Sequence, residues 1–156
     1  MPMIDAFIPE QALATAAEQE LIRRVTDLVI REEIGDPANE RAQNASWVFV
    51  HRPVVYVAGA PAPLPRYRFI ISVPEGQFDP ERRAAVVRGI TEAVALAEGR
   101  SMEVVEGRVW VITVEIPDGT WGTRGRIVRL PEMLTVLLGD QGREAALERL
   151  AQRAGW

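Results

Sequence analysis

The sequence lacks several residue types on which common active sites depend. The 156-residue chain has no cysteine, and all 18 of its basic residues are arginine, so it has no lysine either. Disulfides, thiolate nucleophiles, cysteine-bound zinc and lysine Schiff bases are therefore excluded. With one histidine, His51, a single chain cannot build a multi-histidine metal site. The groups left for chemistry are carboxylates, arginines, one imidazole and the amine at the amino terminus.

Charge and hydropathy narrow the class of protein further. The net charge is −4 and the basic residues are scattered, whereas a phosphate-binding footprint needs clustered positive charge. No apolar run approaches the ~20 residues of a membrane span, and residues 1–10 lack the basic and apolar regions of a secretory signal. We therefore expect a cytoplasmic protein that has neither a nucleic-acid partner nor a membrane partner.

The chain contains an internal duplication. When the sequence is shifted by 65 residues its first half aligns with its second, and further on the shift relaxes to 63, as a short loop deletion would produce. The matched residues include Arg23 with Arg88, Thr26 with Thr91, Val29 with Val94, Glu33 with Glu98, and Trp47-Val48 with Trp110-Val111. We expect one domain over residues 1–130, made of repeats 2–63 and 66–127, followed by a helical extension over 131–156.

Each repeat is predicted to be a strand, a helix and a second strand. Alternating apolar residues, rich in branched and aromatic side chains, predict first strands at 3–8 and 67–73. The second strands are predicted at 47–52 and 108–115. In such a unit the two strands can lie parallel, joined by a right-handed helical crossover.

The helices between these strands have recognisable ends. Thr15 with Glu18 forms the pattern of a capping box, and Gly35 can supply a left-handed stop. In the second repeat Asp79 is the predicted cap, and Pro80 takes the first helical position. Gly99 would end that helix.

Two such units together predict an α+β fold with a four-stranded sheet and both helices on one face. The other face would remain apolar and uncovered, so we expect an oligomer to bury it. Glycine-bearing stretches at 54–59 and 120–125 are suited to hairpins that reach a neighbouring subunit. Residues 130–138 and 140–154 are predicted to form C-terminal helices.

A strand that opens directly with Met-Pro, in a unit of this size, resembles the tautomerase superfamily. The small members of this superfamily are similar to 4-oxalocrotonate tautomerase. Its fused, two-repeat members are similar to malonate semialdehyde decarboxylase and cis-3-chloroacrylic acid dehalogenase. The stretch 109–116, followed by Gly119-Thr120-Trp121-Gly122, is similar to the second strand and hairpin of that family. The resemblance implies a homotrimer, a cofactor-free reaction and an active site around Pro2. Since Pro2 aligns with Tyr67, one working site per chain is implied.

Removal of Met1 would expose the ring nitrogen of Pro2 as a secondary amine. Burial and nearby arginines would lower the pKa of such an amine, so that it could act as a general base. The resemblance then implies keto–enol isomerisation of a small 2-oxo acid. A protonated Pro2 would instead suit decarboxylation, hydration or dehalogenation of a three-carbon acid.

The substrate would carry a carboxylate, which arginine binds with a planar two-pronged fork. Arg52 and Arg126 are the first candidates, because they lie in stretches similar to the decarboxylase branch. Arg124, His51 and Trp121 complete the predicted substrate-binding set, with the indole as an apolar pocket wall.

The sequence departs from the family at several positions. Trp47 and Trp110 stand where small tautomerases have a substrate arginine. Val73 and Glu75 stand where the decarboxylase has an arginine pair, and Gln43 lies near the position of its acidic partner. These departures leave two rivals to the tautomerase: a catalytically silent, ligand-binding trimer of the same fold, and an unrelated ferredoxin-like binding module.

Overall fold

The computed structural model describes residues 2–154. Helices and strands are interspersed along the chain. In chain order they are β1 Met3–Phe7, α1 Thr15–Ile34, α2 Glu40–Ala45, β2 Trp47–His51, β3 Tyr56–Val57, β4 Ala60–Pro61, β5 Tyr67–Pro74, α3 Pro80–Glu98, α4 Met102–Val105, β6 Val109–Ile116, β7 Trp121–Thr123, β8 Arg126–Val128, α5 Leu130–Leu138 and α6 Asp140–Ala154.

The predicted sheet is confirmed, with strand order β2-β1-β5-β6. Within each repeat the two strands are parallel, so β1 pairs with β2 and β5 pairs with β6. The repeats meet at the centre of the sheet, where β1 and β5 run antiparallel and Met3 lies opposite Ser72. The start of β1 therefore lies beside the end of β5.

Three of the four predicted helix ends are confirmed. Oδ1 of Asp79 accepts a hydrogen bond of 2.8 Å from the backbone N–H of Arg82, with Pro80 in the first turn. Gly35 and Gly99 follow their helices with left-handed φ values of 81° and 64°.

The predicted capping box at Thr15 is wrong. Ala14 occupies the cap position and no side chain caps the helix. The Glu18 carboxylate binds Arg52 instead, with both of its oxygens 2.6 Å from the guanidinium. A charged, two-pronged partner outside the helix is preferred here to the helix's own backbone donors.

The core lies between the sheet and the two long helices. Ile4 and Ala6 of β1, together with Phe69 and Ile71 of β5, face α1 and α3 and are fully buried. Leu28 of α1 packs so closely against α3 that a Cβ on Gly89 would come within 2.6 Å of it. The helices therefore cover one face of the sheet, as predicted.

The opposite face is uncovered in the single chain, also as predicted. Its aromatic side chains on the two edge strands are exposed: Trp47 by 63% and Trp110 by 72%. Phe49 and Ile112 are also exposed on these strands. A contiguous apolar patch of this kind is typical of a surface that another molecule covers.

The C-terminal helices pack on the far end of α1. Leu130 and Leu134 of α5 are fully buried in a second cluster with Ile30 of α1 and Ala42 of α2. Because α1 runs antiparallel to β1, its last turn lies at the edge of the sheet where β1 begins. The extension is therefore packed near the amino-terminal end of the first strand. None of the helices within residues 2–154 combines the length and the apolar character required to cross a bilayer.

Candidate active site

Pro2 lies immediately before the central strand β1 and is buried. Its carbonyl accepts a hydrogen bond of 3.3 Å from the backbone N–H of Trp47. Met3, the next residue, pairs with β2 on one side and with Ser72 of β5 on the other. Pro2 is thus fixed at the middle of one edge of the sheet.

Glu33 is the buried carboxylic acid at this edge. It lies in the last turn of α1 and is only 2% exposed. Burial raises the pKa of its carboxyl, whereas the positive charge of the amino terminus and that of Arg149 lower it. Sequence analysis aligned Glu33 with Glu98 but gave it no functional role.

The loop after β5 and the last helix add two polar side chains at the same edge. Gln77 follows β5 and is fully buried, and Arg149 lies on α6. The Arg149 guanidinium donates to Oε1 of Gln77 and, at 3.4 Å, to the carbonyl of Glu33. Sequence analysis missed both residues, since no local pattern links positions 72 residues apart.

Arg52 and His51, two predicted substrate-binding residues, lie at the opposite edge of the sheet in the same chain. Phe7 pairs with His51 at the end of β1, four residues from Met3. Arg52 is held by Glu18, while Nε2 of His51 is 2.6 Å from Oδ1 of Asp5 and its ring stacks on Phe7. Within one chain, neither side chain reaches Pro2.

The remaining predicted residues lie on the β7–β8 hairpin. Trp121 is half-buried on β7, and Arg124 occupies the turn with a left-handed φ of 51°. Arg126 is exposed, and its guanidinium donates to Glu132 at 2.8 Å. No described hydrogen bond or ion pair joins these three side chains to Pro2, and their contact with substrate remains a prediction.

Two surface cavities lie away from Pro2. One, of about 300 Å³, lies on the surface between α1 and α3, near Leu28 and Leu96. Another, of about 360 Å³, is lined by prolines including Pro53 and Pro63. Among residues 2–154, no cluster of three or more His, Asp or Glu side chains is placed to hold a metal ion.

Comparison with known proteins agrees with the fold. Residues 70–130 match the family described as Tautomerase enzyme. The solved structure of Pt0534 inactivated by 2-oxo-3-pentynoate superposes with a TM-score of 0.64 at 20% identity, covering 80% of this chain and 95% of that one. The chain has the fold of the tautomerase superfamily.

Other tautomerase structures are similar to the same extent. A fused 4-OT called R7, described as an asymmetric trimer, gives a TM-score of 0.62 at 20% identity and covers 80% of this chain and 94% of its own. A member of the cis-3-chloroacrylic acid dehalogenase family, N1, gives 0.65 at 15% identity and covers 92% and 97%. No protein of curated function matches the sequence.

The second repeat of this tautomerase fold carries a closed ion pair where the first repeat carries Pro2 and Glu33. Tyr67 donates its hydroxyl to Oε1 of Glu98 at 2.7 Å, and the Arg108 guanidinium binds both oxygens of Glu98 at 2.8 and 2.5 Å. Hydrogen bonding to Arg108 lowers the pKa of Glu98, and burial raises that of Tyr67. The three side chains bind one another, and only the Nε of Arg108 has no hydrogen-bond partner within the described residues. This closed ion pair suits a structural role.

Proposed function

We propose that the protein is a cofactor-free tautomerase that interconverts the keto and enol forms of a small 2-oxo acid, with the nitrogen of Pro2 as its general base and acid. The observation that carries the proposal is the position of Pro2, buried at the middle of a sheet edge and directly before the central strand β1. An amine in such a site is partly removed from water, which favours its neutral, basic form.

The reaction needs only one proton-carrying group. Neutral Pro2 takes the proton from the enol hydroxyl, breaking the O–H bond, while the C=C electrons move to form the C–H bond at carbon 3. The C–O bond becomes a carbonyl, and the proton held by Pro2 is the one delivered to carbon. Pro2 ends the cycle in its initial state, so no cofactor is consumed.

We further propose that the chain assembles as a homotrimer. The fused 4-OT proteins R7 and Q0 are described as trimers, and the exposed indoles of Trp47 and Trp110 mark a face that needs covering. In that assembly Arg52, Arg124, Arg126, His51 and Trp121 would contact substrate from a neighbouring copy. Light scattering should give the mass of three chains, and the mass of one chain would contradict the assembly.

A cytoplasmic location remains a prediction.

A second candidate keeps Pro2 but changes the reaction. The dehalogenase-family protein N1 covers 92% of the chain, including part of the C-terminal extension. A protonated Pro2, held in that state by a nearby carboxylate, would act as the acid in hydration, dehalogenation or decarboxylation of a three-carbon acid. A catalytically silent, ligand-binding trimer would retain the fold and lose both reactions.

Labelling of the amino terminus tests the proposal directly. The chain has no lysine, so its only amine is at the amino terminus. The reagent is 2-oxo-3-pentynoate, the compound that inactivated Pt0534 in its solved structure. We expect it to modify Pro2 once, rapidly and with saturation. A peptide that begins with Pro2 and ends at Gln11 is the control.

Mass spectrometry should place the adduct on the peptide that contains Pro2. Labelling at the rate of the control peptide would contradict the proposal. Ketonisation of phenylenolpyruvate, compared between the native chain and Pro2→Ala, then separates the tautomerase from the silent binding protein.

A further inference from the structure

The last helix places a guanidinium over the loop that follows β5. Gly76 lies against Arg149 so closely that a Cβ on the glycine would be 3.3 Å from the Cβ of Arg149. The guanidinium reaches past this glycine to Gln77 and to the carbonyl of Glu33. Helix α6 therefore rests directly on the loop, with Arg149 directed towards the edge of the sheet where β1 begins.

Arg149 is a cation without a carboxylate in contact. Among residues 2–154 it forms no ion pair within 4.0 Å, whereas Arg153 of the same helix binds Glu115 at 2.6 Å. Burial and the charge of Arg82 lower the pKa of Arg149, and Glu33 and Asp79 act in the opposite direction. A half-buried guanidinium that binds only neutral oxygens retains the capacity to bind an anion.

Gln77 presents a second donor in the same place. Its side chain is 0% exposed, its Oε1 accepts from Arg149, and its Nε2 has no hydrogen-bond partner within the described residues. Leaving a buried N–H group unpaired costs about 1–3 kcal/mol. Such a group in a folded protein calls for an acceptor. Arg149 and Gln77 are thus neighbouring donors, of which the Nε2 of Gln77 lacks an acceptor among the described residues.

The topology places these donors at the Pro2 edge. Ser72 pairs with Met3, so β5 ends beside Pro2 and the chain then continues to Gln77. Arg149 also donates to the carbonyl of Glu33 at 3.4 Å, and Glu33 lies in the last turn of α1 at this edge. Helix α6 lies outside the matched family region 70–130, which makes this arrangement a feature of the extension.

We propose that Arg149 and the Nε2 group of Gln77 bind the carboxylate of the substrate, so that the C-terminal helix completes the Pro2 site. The inference rests on the proposed function for its substrate class, a small 2-oxo acid. The guanidinium supplies charge and the amide supplies a directed N–H, which together favour a carboxylate over a neutral ketone. A carboxylate bound there would leave the carbonyl end of the acid facing Pro2.

Binding can be measured without turnover. Benzoylformate is a 2-oxo acid with no hydrogen on the carbon next to its carbonyl, so it cannot enolise, and its methyl ester is the neutral counterpart. Calorimetry on the full chain should show that Arg149→Gln weakens benzoylformate binding about 10- to 100-fold, as loss of a charged hydrogen bond predicts. Ester binding should not change. Arg143→Gln, which removes an exposed arginine from the same helix, is the matched control and should bind like the native chain.

A second variant covers the case in which Arg149→Gln does not fold. Gln77→Glu supplies Arg149 with a carboxylate from within the chain, so it should also weaken benzoylformate binding at least 10-fold. Native affinity for benzoylformate in either folded variant would overturn the proposal, as would an absence of benzoylformate binding by the native chain.

The two proposals fail separately. Pro2→Ala should still bind benzoylformate, because the Arg149 and Gln77 donors do not depend on the ring nitrogen. If Pro2 is labelled no faster than a free peptide while binding still requires Arg149, the tautomerase proposal fails and the carboxylate site stands. If 2-oxo-3-pentynoate labels Arg149→Gln with native half-saturation, the carboxylate site fails and the tautomerase proposal stands.

Discussion

A pair of aligned positions has different side chains and different surroundings in the two repeats. In the second repeat Tyr67 and Arg108 both bind Glu98 inside the protein, with Arg108 6% and Glu98 8% exposed at their side chains. In the first repeat the aligned positions hold Pro2 and Glu33. Ala45 stands where the second repeat has Arg108, and burial raises the pKa of the Glu33 carboxyl, whereas hydrogen bonding to Arg108 lowers that of Glu98.

The difference shows how a duplicated fold can separate stability from chemistry. A carboxylate bound by both prongs of an arginine holds its proton weakly, and is a poor acid or base near neutral pH. A buried carboxyl beside an amine shares protons with it, and the pair titrates as a unit. Under the proposed function the first repeat carries the reactive group, Pro2, whereas the aligned positions of the second repeat belong to an ion pair.

The largest expected effect comes from blocking the amine. A form of the chain that retains Met1 turns the Pro2 nitrogen into an amide, which has no basicity. We expect its rate of phenylenolpyruvate ketonisation to fall by about 10²- to 10⁴-fold, the usual contribution of a general base. Thermal unfolding should remain unchanged, because the second repeat shows that this position does not need an amine to fold. Equal rates for the processed and unprocessed forms would remove Pro2 from the mechanism.

The next effect concerns stability in the second repeat. Glu98→Gln leaves the buried guanidinium of Arg108 without its counter-charge, and we expect a loss of about 3–5 kcal/mol in the free energy of unfolding. Hydrogen bonding to Arg108 lowers the pKa of Glu98 from its ordinary value of 4.5, so the stabilisation is present above that value and is lost as pH falls through the folded-state pKa. The native chain and the variant should therefore converge in stability below pH 4.5.

Chemical denaturation at pH 7 and at pH 3 measures this convergence. The ketonisation rate of the folded Glu98→Gln variant should match that of the native chain, because this glutamate lies in the repeat without an amine. A constant gap in stability across both pH values would show that the Arg108 pair does not act through the charge of Glu98.

Much of this contrast could be predicted from the sequence, because it depends on local patterns. Alternating apolar residues located the strands, Asp79 and the two helix-ending glycines located the helices, and the repeat aligned Pro2 with Tyr67. The site's polar partners could not be predicted in the same way. Arg149 meets Gln77 only because α6 packs on the loop after β5, and no sequence period connects them.

The capping-box error has a related cause. The spacing of Thr15 and Glu18 is correct for a cap, and local rules treat such a glutamate as available to the backbone. Arg52 is distant in the chain but adjacent in space, and it offers Glu18 two charged hydrogen bonds. Local patterns cannot detect a competitor that tertiary structure supplies.

The smallest expected effect distinguishes the two glutamates most sharply. Glu33→Gln removes a buried carboxyl from the edge of the sheet where Pro2 lies, and a nearby negative charge favours a protonated amine. We expect the acidic limb of the kcat/KM profile to move to lower pH, while the rate at pH 7 changes by only about threefold, since most of the amine is already neutral there if Pro2 acts as a base. Glu98→Gln is the matched control, because it removes a glutamate at the aligned position of the other repeat, and it should leave the profile where it is. Arg149 is unchanged in both variants. A profile that moves equally in both variants would mean that the glutamates act only on the net charge of the protein, and the contrast between the repeats would then have no catalytic meaning.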